Sequence, residues 1–94
     1  MDAETFVVHA NIEVRTLETW VEAGWLVPGR AEGRVDYSEV DLARARLIND
    51  LTGLGVNEAG VPIVLDLVDQ LHGLRRVLRH ALAAAKRAQP GTEG

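Results

Sequence analysis

The chain has 94 residues, a net charge of −4 and no cysteine, and 47% of its residues are hydrophobic. These values fit one globular domain rather than a disordered chain, and they exclude a disulfide scaffold, a thiolate zinc site, a thiol nucleophile and a cysteine-based metal sensor. No apolar run reaches the ~18 residues of a membrane span, and the first residues lack a signal-peptide pattern. We therefore expect a cytoplasmic protein without a membrane segment.

The first third of the chain predicts one clear helix. Residues 4–10 form a short apolar segment whose pattern fits a helix or a strand equally well. Apolar residues then recur at helical spacing and predict a helix from about Val14 to Ala23, with Gly24 at its C-cap.

A small two-stranded wing is predicted next. The run 25–27 has a β-rich composition and ends at Pro28 and Gly29, so it predicts the first strand. Residues 29–33 read as a polar turn with a glycine at each end, and Val35 and Tyr37 then form the returning strand.

The second half of the chain predicts two further helices. Ser38 followed by Asp41 resembles a capping box and begins a helix that runs to about Thr52. Its expected inner face consists of Val40, Ala43, Leu47, Ile48 and Leu51. A last, long helix is predicted over about 58–88, followed by a disordered tail at 90–94. In domain terms, residues 1–56 form the winged unit and 57–89 a helical arm.

A heptad-like apolar seam runs along the last helix. The stripe is wider and longer than so small a domain can cover, so we expect a homodimer. The candidate dimer residues are Leu71, Leu74, Leu78 and Ala81. The alternative is that the stripe packs on the helices of its own chain.

Nothing in the sequence assembles an active site. The three histidines lack the spacing of two ligands on one helix face, the only serine is placed at a helix cap, and no glycine-rich phosphate loop is present. We expect a protein that is not an enzyme and that needs no cofactor or metal.

Charge is divided unevenly along the chain. Residues 1–69 carry 13 acidic side chains against 5 arginines, a balance of −8, whereas residues 70–94 carry five basic side chains against one glutamate, a balance of +4. Two helices, a tight turn and a wing have the outline of a winged helix-turn-helix DNA reader. An acidic reader is unfavourable, because contacts from Lys and Arg to phosphates supply most affinity for DNA.

A pattern runs through the predicted helix 14–23, the wing and the following helix: Thr16-Leu17, Gly24, Leu26, Pro28, Tyr37-Ser38, Asp41-Leu42 and Ile48. This pattern resembles the N-terminal domain of MerR-type regulators. It implies a mainly α fold, a MerR-like winged helix-turn-helix with a small two-stranded wing followed by a long C-terminal helix. If the chain binds DNA, the candidate contacts are Arg15, Thr16, Thr19, Arg30 and Arg34.

The sequence departs from the MerR pattern where DNA contacts are expected. Glu18 and Thr19 stand where these proteins usually carry arginine and tyrosine, and Gly33-Arg34-Val35 stands where they carry Gly-Tyr-Arg. DNA binding is therefore expected to be weak or absent.

The second half resembles CbpM-type chaperone modulators, through NEAGVPIVLDLVDQLHGLRRVLRHAL at residues 57–82. This resemblance implies a small adaptor that binds the J-domain of a DnaJ- or CbpA-type co-chaperone and inhibits its work with Hsp70. An acidic surface would complement the basic helix of a J-domain. The candidate partner-binding residues are Glu18, Glu22, Trp25, Asp66 and Asp69. The alternative function is a MerR-type DNA-binding transcription regulator.

Overall fold

The computed structural model describes residues 1–88. Its elements in chain order are α1 (Ala3–Ala10), α2 (Val14–Glu22), β1 (Gly29–Ala31), β2 (Arg34–Asp36), α3 (Glu39–Gly53) and α4 (Val61–Arg87). The mainly α fold with a two-stranded antiparallel hairpin and a long last helix is confirmed. The predicted tail at 90–94 lies outside the described residues.

Residues 3–10, which the sequence left open between helix and strand, form helix α1. The Asp2 side chain accepts a hydrogen bond of 2.8 Å from the Thr5 amide and so caps the first turn. At the other end, Asn11 adopts a left-handed conformation with φ 57°, which lets its amide bond back to carbonyls of the last turn. The helix buries Phe6 and Ala10 and packs against both α2 and α3.

Helix α2 ends in a Schellman motif built around Gly24. The Trp25 amide bonds to the Trp20 carbonyl at 2.9 Å, and the Gly24 amide bonds to the Val21 carbonyl at 3.0 Å. Gly24 has φ 78°, a conformation that a side chain disfavours. The glycine therefore fixes the point where α2 stops, and the predicted helix is confirmed to within one residue.

The first strand of the hairpin lies later in the chain than predicted, whereas Val35 of the predicted second strand lies in β2 and Tyr37 follows that strand. The first strand is Gly29–Ala31, not the run 25–27, so the prediction for that run is wrong. Glu32 and Gly33 both have positive φ, at 54° and 79°, which suits a two-residue loop between paired strands. The pairing of Ala31 with Arg34 follows directly from that loop.

Helix α3 carries the predicted capping box. The Asp41 amide donates to the Ser38 hydroxyl at 3.2 Å, and the Ser38 amide donates to the Asp41 carboxylate at 2.9 Å. The predicted inner face is confirmed in part: Ile48 is buried, and Leu47 and Leu51 are half-buried. Val40 and Ala43 are exposed, and Leu42 and Ala45 are buried in their place.

Helix α4 begins three residues later than predicted and is continuous through Gly73. Residues 57–60 form a turn instead, in which the Asn57 side chain accepts from the Gly60 amide at 2.9 Å. A side chain at Gly60 would meet a methyl group of Val56 at 2.9 Å, so the tight turn requires glycine there. No helix among residues 1–88 is long and apolar enough to cross a membrane.

The chain divides into two compact units, Met1–Pro62 and Ile63–Gly94. The first unit holds α1, α2, the hairpin and α3 around an apolar core that includes Phe6, Leu17, Leu26 and Ile48. Among residues 1–88, the buried side chains that carry a polar group are those of Trp20 and Tyr37, and no buried side chain is charged. The second unit consists, as far as it is described, of α4 from residue 63 onward.

Candidate functional site

Helix α2 presents both an anchored face and an exposed face. Leu17 and Trp20 are buried and hold the helix in the first unit. Arg15, Glu18, Thr19 and Glu22 are exposed. Thr16 is half-buried, so it contributes less to the outer surface than its place among the candidate DNA contacts suggests.

The exposed face of α2 is acidic. Glu18 and Glu22 lie four residues apart, which puts their carboxylates side by side on one face of a helix. Within residues 1–88, neither carboxylate has a cation in ion-pair distance. The face therefore carries two uncompensated negative charges beside the single cation of Arg15.

A shallow groove of about 440 Å³ runs along α2 within the first unit. Buried Leu17 and Tyr37 form its floor, with 3% and 6% of their surfaces exposed. Val14 and Val21, 52% and 36% exposed, line its length. Glu18 and Glu22 also line the groove, so an apolar trough borders on two carboxylates.

Tyr37 is held in place from several sides. Its ring stacks on Phe6 with the ring centroids 4.4 Å apart, and its amide donates to the Met1 carbonyl at 2.8 Å. Burial, with a smaller contribution from the charge of Asp41, raises the pKa of the Tyr37 phenol above its ordinary value. At Tyr37 the floor of the groove is therefore an uncharged aromatic ring that is held by contacts with Phe6 and Met1.

The hairpin carries the two arginines that were predicted as DNA contacts. Both Arg30 and Arg34 are exposed. Arg30 donates from Nη1 to the Gly33 carbonyl at 3.2 Å, so that guanidinium folds over its own loop. The hairpin also carries Glu32 and Asp36, and Asp36 bonds the Met1 amine at 2.8 Å.

Trp25, a candidate partner contact, is half-buried directly after α2. Its carbonyl accepts a hydrogen bond of 2.6 Å from Nε of Arg44 on α3. The sequence offered no signal for this bond, because it joins residues nineteen apart through their fold. Trp25 and Arg44 thus connect the end of α2 to α3.

The remaining candidates lie on α4. Asp66 and Asp69 are exposed in the second unit, and Asp66 accepts from the Gln70 amide group at 2.8 Å. The candidate dimer residues Leu71, Leu74, Leu78 and Ala81 are all exposed as well. The acidic candidates therefore fall into two sets, one on α2 and one on α4.

The groove has no counterpart among the sequence predictions. Val14 and Val21 are two of the apolar residues whose helical spacing predicts α2, and their separation of seven residues places them on one side of it. Half of the Val14 surface is nevertheless open. Ala3 and Tyr37 also line the groove and come from distant parts of the chain, so no local sequence pattern predicts it.

Comparisons with known proteins agree with this architecture. Residues 1–67 match the family described as MerR HTH family regulatory protein. Among solved structures, the chain is similar to the transcription regulator PbrR691 from Ralstonia metallidurans CH34, solved in complex with lead(II), with a TM-score of 0.72 and 26% identity. That match covers 94% of this chain and 73% of the regulator. No curated protein matches the chain.

Proposed function

The chain belongs to the MerR family of helix-turn-helix regulatory proteins, and we propose that it acts as a transcription regulator that contacts DNA through α2 and the hairpin. The observation that carries this proposal is the family match over residues 1–67, which includes the whole helix-turn-helix and hairpin. Similarity to a transcription regulator of known structure supports it. In this architecture the recognition helix enters the major groove, and that helix is α2 here.

The available cations set the expected strength of DNA binding. Arg15 on α2 and Arg34 on the hairpin are exposed and can reach phosphates or base edges. Residues 13–36 carry five carboxylates against three arginines. Neutralisation of phosphates supplies most non-specific affinity for DNA. We therefore propose a regulator that binds DNA of arbitrary sequence weakly and needs a matched DNA sequence for tight binding.

A selection experiment tests DNA binding directly. The full chain is used to enrich ligands from a randomised pool of duplexes, and the enriched duplex is titrated by fluorescence anisotropy at low and physiological salt. Arg34→Gln should weaken binding and reduce the salt slope by about 1, since one phosphate contact is lost. Arg79→Gln, on the second unit, is the charge-matched control. Failure to enrich any duplex at low salt contradicts the proposal.

A second candidate function is favoured by the acidic face of α2. Glu18 and Glu22 repel phosphates but complement a basic protein surface, which agrees with the resemblance to CbpM-type modulators. In that case the protein is an adaptor that binds the J-domain of a DnaJ- or CbpA-type co-chaperone and inhibits its work with Hsp70. Trp25, Asp66 and Asp69 are then further candidate contacts.

One double variant separates the two functions, because charge reversal acts on them in opposite directions. Glu18→Lys with Glu22→Lys should strengthen binding to a DNA duplex and weaken binding to a purified J-domain. The control, Asp50→Lys with Glu58→Lys, changes the net charge equally at exposed positions outside α2. Calorimetric titration of the DNA duplex and of the J-domain into each variant measures both affinities. A double variant that differs from the control only in tighter DNA binding supports the regulator. A double variant that differs from the control only in weaker J-domain binding supports the adaptor.

We further propose that the functional form is a homodimer joined through α4. Five leucines on this helix, each 46–66% exposed, form one apolar stripe: Leu67, Leu71, Leu74, Leu78 and Leu82. A helix gains most of its stability by packing such a stripe, so the stripe needs a partner. A second copy of the same helix offers a matching surface.

We do not expect this chain to bind lead(II), the metal present in the structure of the similar regulator. Soft cations are held by thiolates, and the chain has no cysteine. Among residues 1–88, histidine and carboxylate side chains do not gather into any group of three or more that fits a metal ion. The donor set does not suit the metal, and we propose no metal effector.

A further inference from the structure

We propose that the groove along α2 is a docking site for a basic amphipathic helix of a partner protein. The site deepens the second candidate function and rests on it for the kind of partner, a protein with a cationic helix. It goes beyond that function by assigning an apolar anchor of the partner helix to the trough beside Glu18 and Glu22.

The shape of the groove favours one or two apolar side chains. From Val14 to Val21 the helix rises by about 10 Å, which is two turns. A ligand helix places side chains three or four residues apart at a spacing of one turn, so two neighbouring anchors fit this length. Leu17 and Tyr37 give the anchors a floor that is already desolvated and rigid, which lowers the cost of ordering on binding.

The charges of the groove favour cations on either side of the anchor. Glu18 and Glu22 have no ion-pair partner within residues 1–88, so a ligand cation does not have to displace one. Their spacing of one helical turn matches two lysines or arginines one turn apart. A nucleic acid would instead place phosphates against these carboxylates and polar groups against an apolar floor, which is unfavourable.

Three synthetic helical peptides test the proposal with the full chain. The first carries leucines at alternating spacings of three and four, with lysine and arginine on the turns between them. The second replaces its leucines with serines, and the third replaces its cations with glutamates. Amide chemical shifts should change around Leu17, Val21 and Tyr37 with the first peptide, and the other two should bind at least about tenfold more weakly.

Matched variants separate the two halves of the site. Glu18→Gln with Glu22→Gln should lower the affinity for the first peptide by about three- to tenfold, because two exposed ion pairs with the peptide are lost. The control, Asp50→Asn with Glu58→Gln, makes the same change of charge outside the groove and should alter affinity less than twofold. Val14→Gln removes apolar lining at a position already half exposed, so the fold should persist, as circular dichroism can verify.

Four results would overturn the docking site. Two concern affinity: the leucine-free peptide binds as tightly as the first peptide, or the groove variant Glu18→Gln with Glu22→Gln binds the first peptide as tightly as the control variant does. Two concern chemical shifts: the changes are confined to residues outside the groove, or the groove responds to a DNA duplex but not to the first peptide. Failure of the second candidate function is a different result: a purified J-domain does not bind, while the first peptide still occupies the groove.

Discussion

Tyr37 links three parts of the first unit through one side chain. Its ring stacks on Phe6 of α1, its backbone follows directly after β2, and its surface forms the floor of the groove. The residue that begins α3, Ser38, comes next in the chain. A change at this single position therefore affects the core, the hairpin and the groove together.

The titration of Tyr37 gives a prediction at the residue scale. Because burial and the charge of Asp41 disfavour the phenolate, its pKa is higher in the folded chain than the ordinary 10.0. The stability that this shift contributes is full below pH 10.0 and is lost as the pH rises through the folded pKa. Ultraviolet difference absorbance measures it cleanly, since the chain has one tyrosine.

The contrary result for Tyr37 is equally clear. A phenol that titrates at its ordinary pKa in the native protein would show that the ring is open to water. Asp41→Asn is the control, because it removes the smaller of the two causes and should leave most of the upward shift in place.

At the scale of elements, backbone conformations decide where each segment stops. Gly24 and Gly55, with φ 78° and 92°, follow the last residues of α2 and α3 and let the chain turn back. In the hairpin, Glu32 and Gly33 set the register of both strands. Gly73 differs from these, since it lies inside a regular helix without positive φ.

Two glycine substitutions test this difference. Gly73→Ala should raise the free energy of unfolding by about 0.5–1 kcal/mol, because alanine is the better helix former and nothing lies within 4 Å of the added Cβ. Gly24→Ala should lower it by about 1–2 kcal/mol, because of the left-handed backbone there. Thermal and denaturant unfolding followed by circular dichroism measure both. A destabilising Gly73→Ala would indicate a contact of another chain at Gly73.

At the scale of the whole molecule, charge and apolar surface are divided between the two units. Residues 1–62 carry 11 acidic side chains against 5 arginines, a balance of −6, whereas residues 63–94 carry 5 basic side chains against 3 acidic ones, a balance of +2, and hold the exposed leucine stripe. This division supports the proposals that place target binding on the first unit and self-association on the second.

Self-association gives a prediction at this scale. Leu74→Glu places a charge in the middle of the leucine stripe, so the protein should elute as a monomer where the unchanged chain elutes as a dimer. Ala83→Glu, an exposed position outside the leucine stripe, adds the same charge and should leave the dimer intact. Size exclusion with light scattering measures the masses. Equal masses for wild type and Leu74→Glu would show that α4 does not form the interface.

The sequence by itself determined the elements whose signals are local. The capping box of Ser38 and Asp41, the end of α2 at Gly24 and the long last helix all follow from residues within one or two turns of each other. The MerR pattern was also readable from the sequence, and the family match confirms it. Such features rest on hydrogen bonds and backbone conformations of residues that are close in the sequence.

Only the tertiary structure decided the features that join distant residues. The strand at Gly29–Ala31 replaced the predicted run because pairing is set by the turn at Glu32 and Gly33, not by β-propensity alone. The buried face of α3 depends on its packing against α1. The groove unites Val14 and Val21 with Ala3 and Tyr37, because packing, and not spacing in the chain, brings these surfaces together.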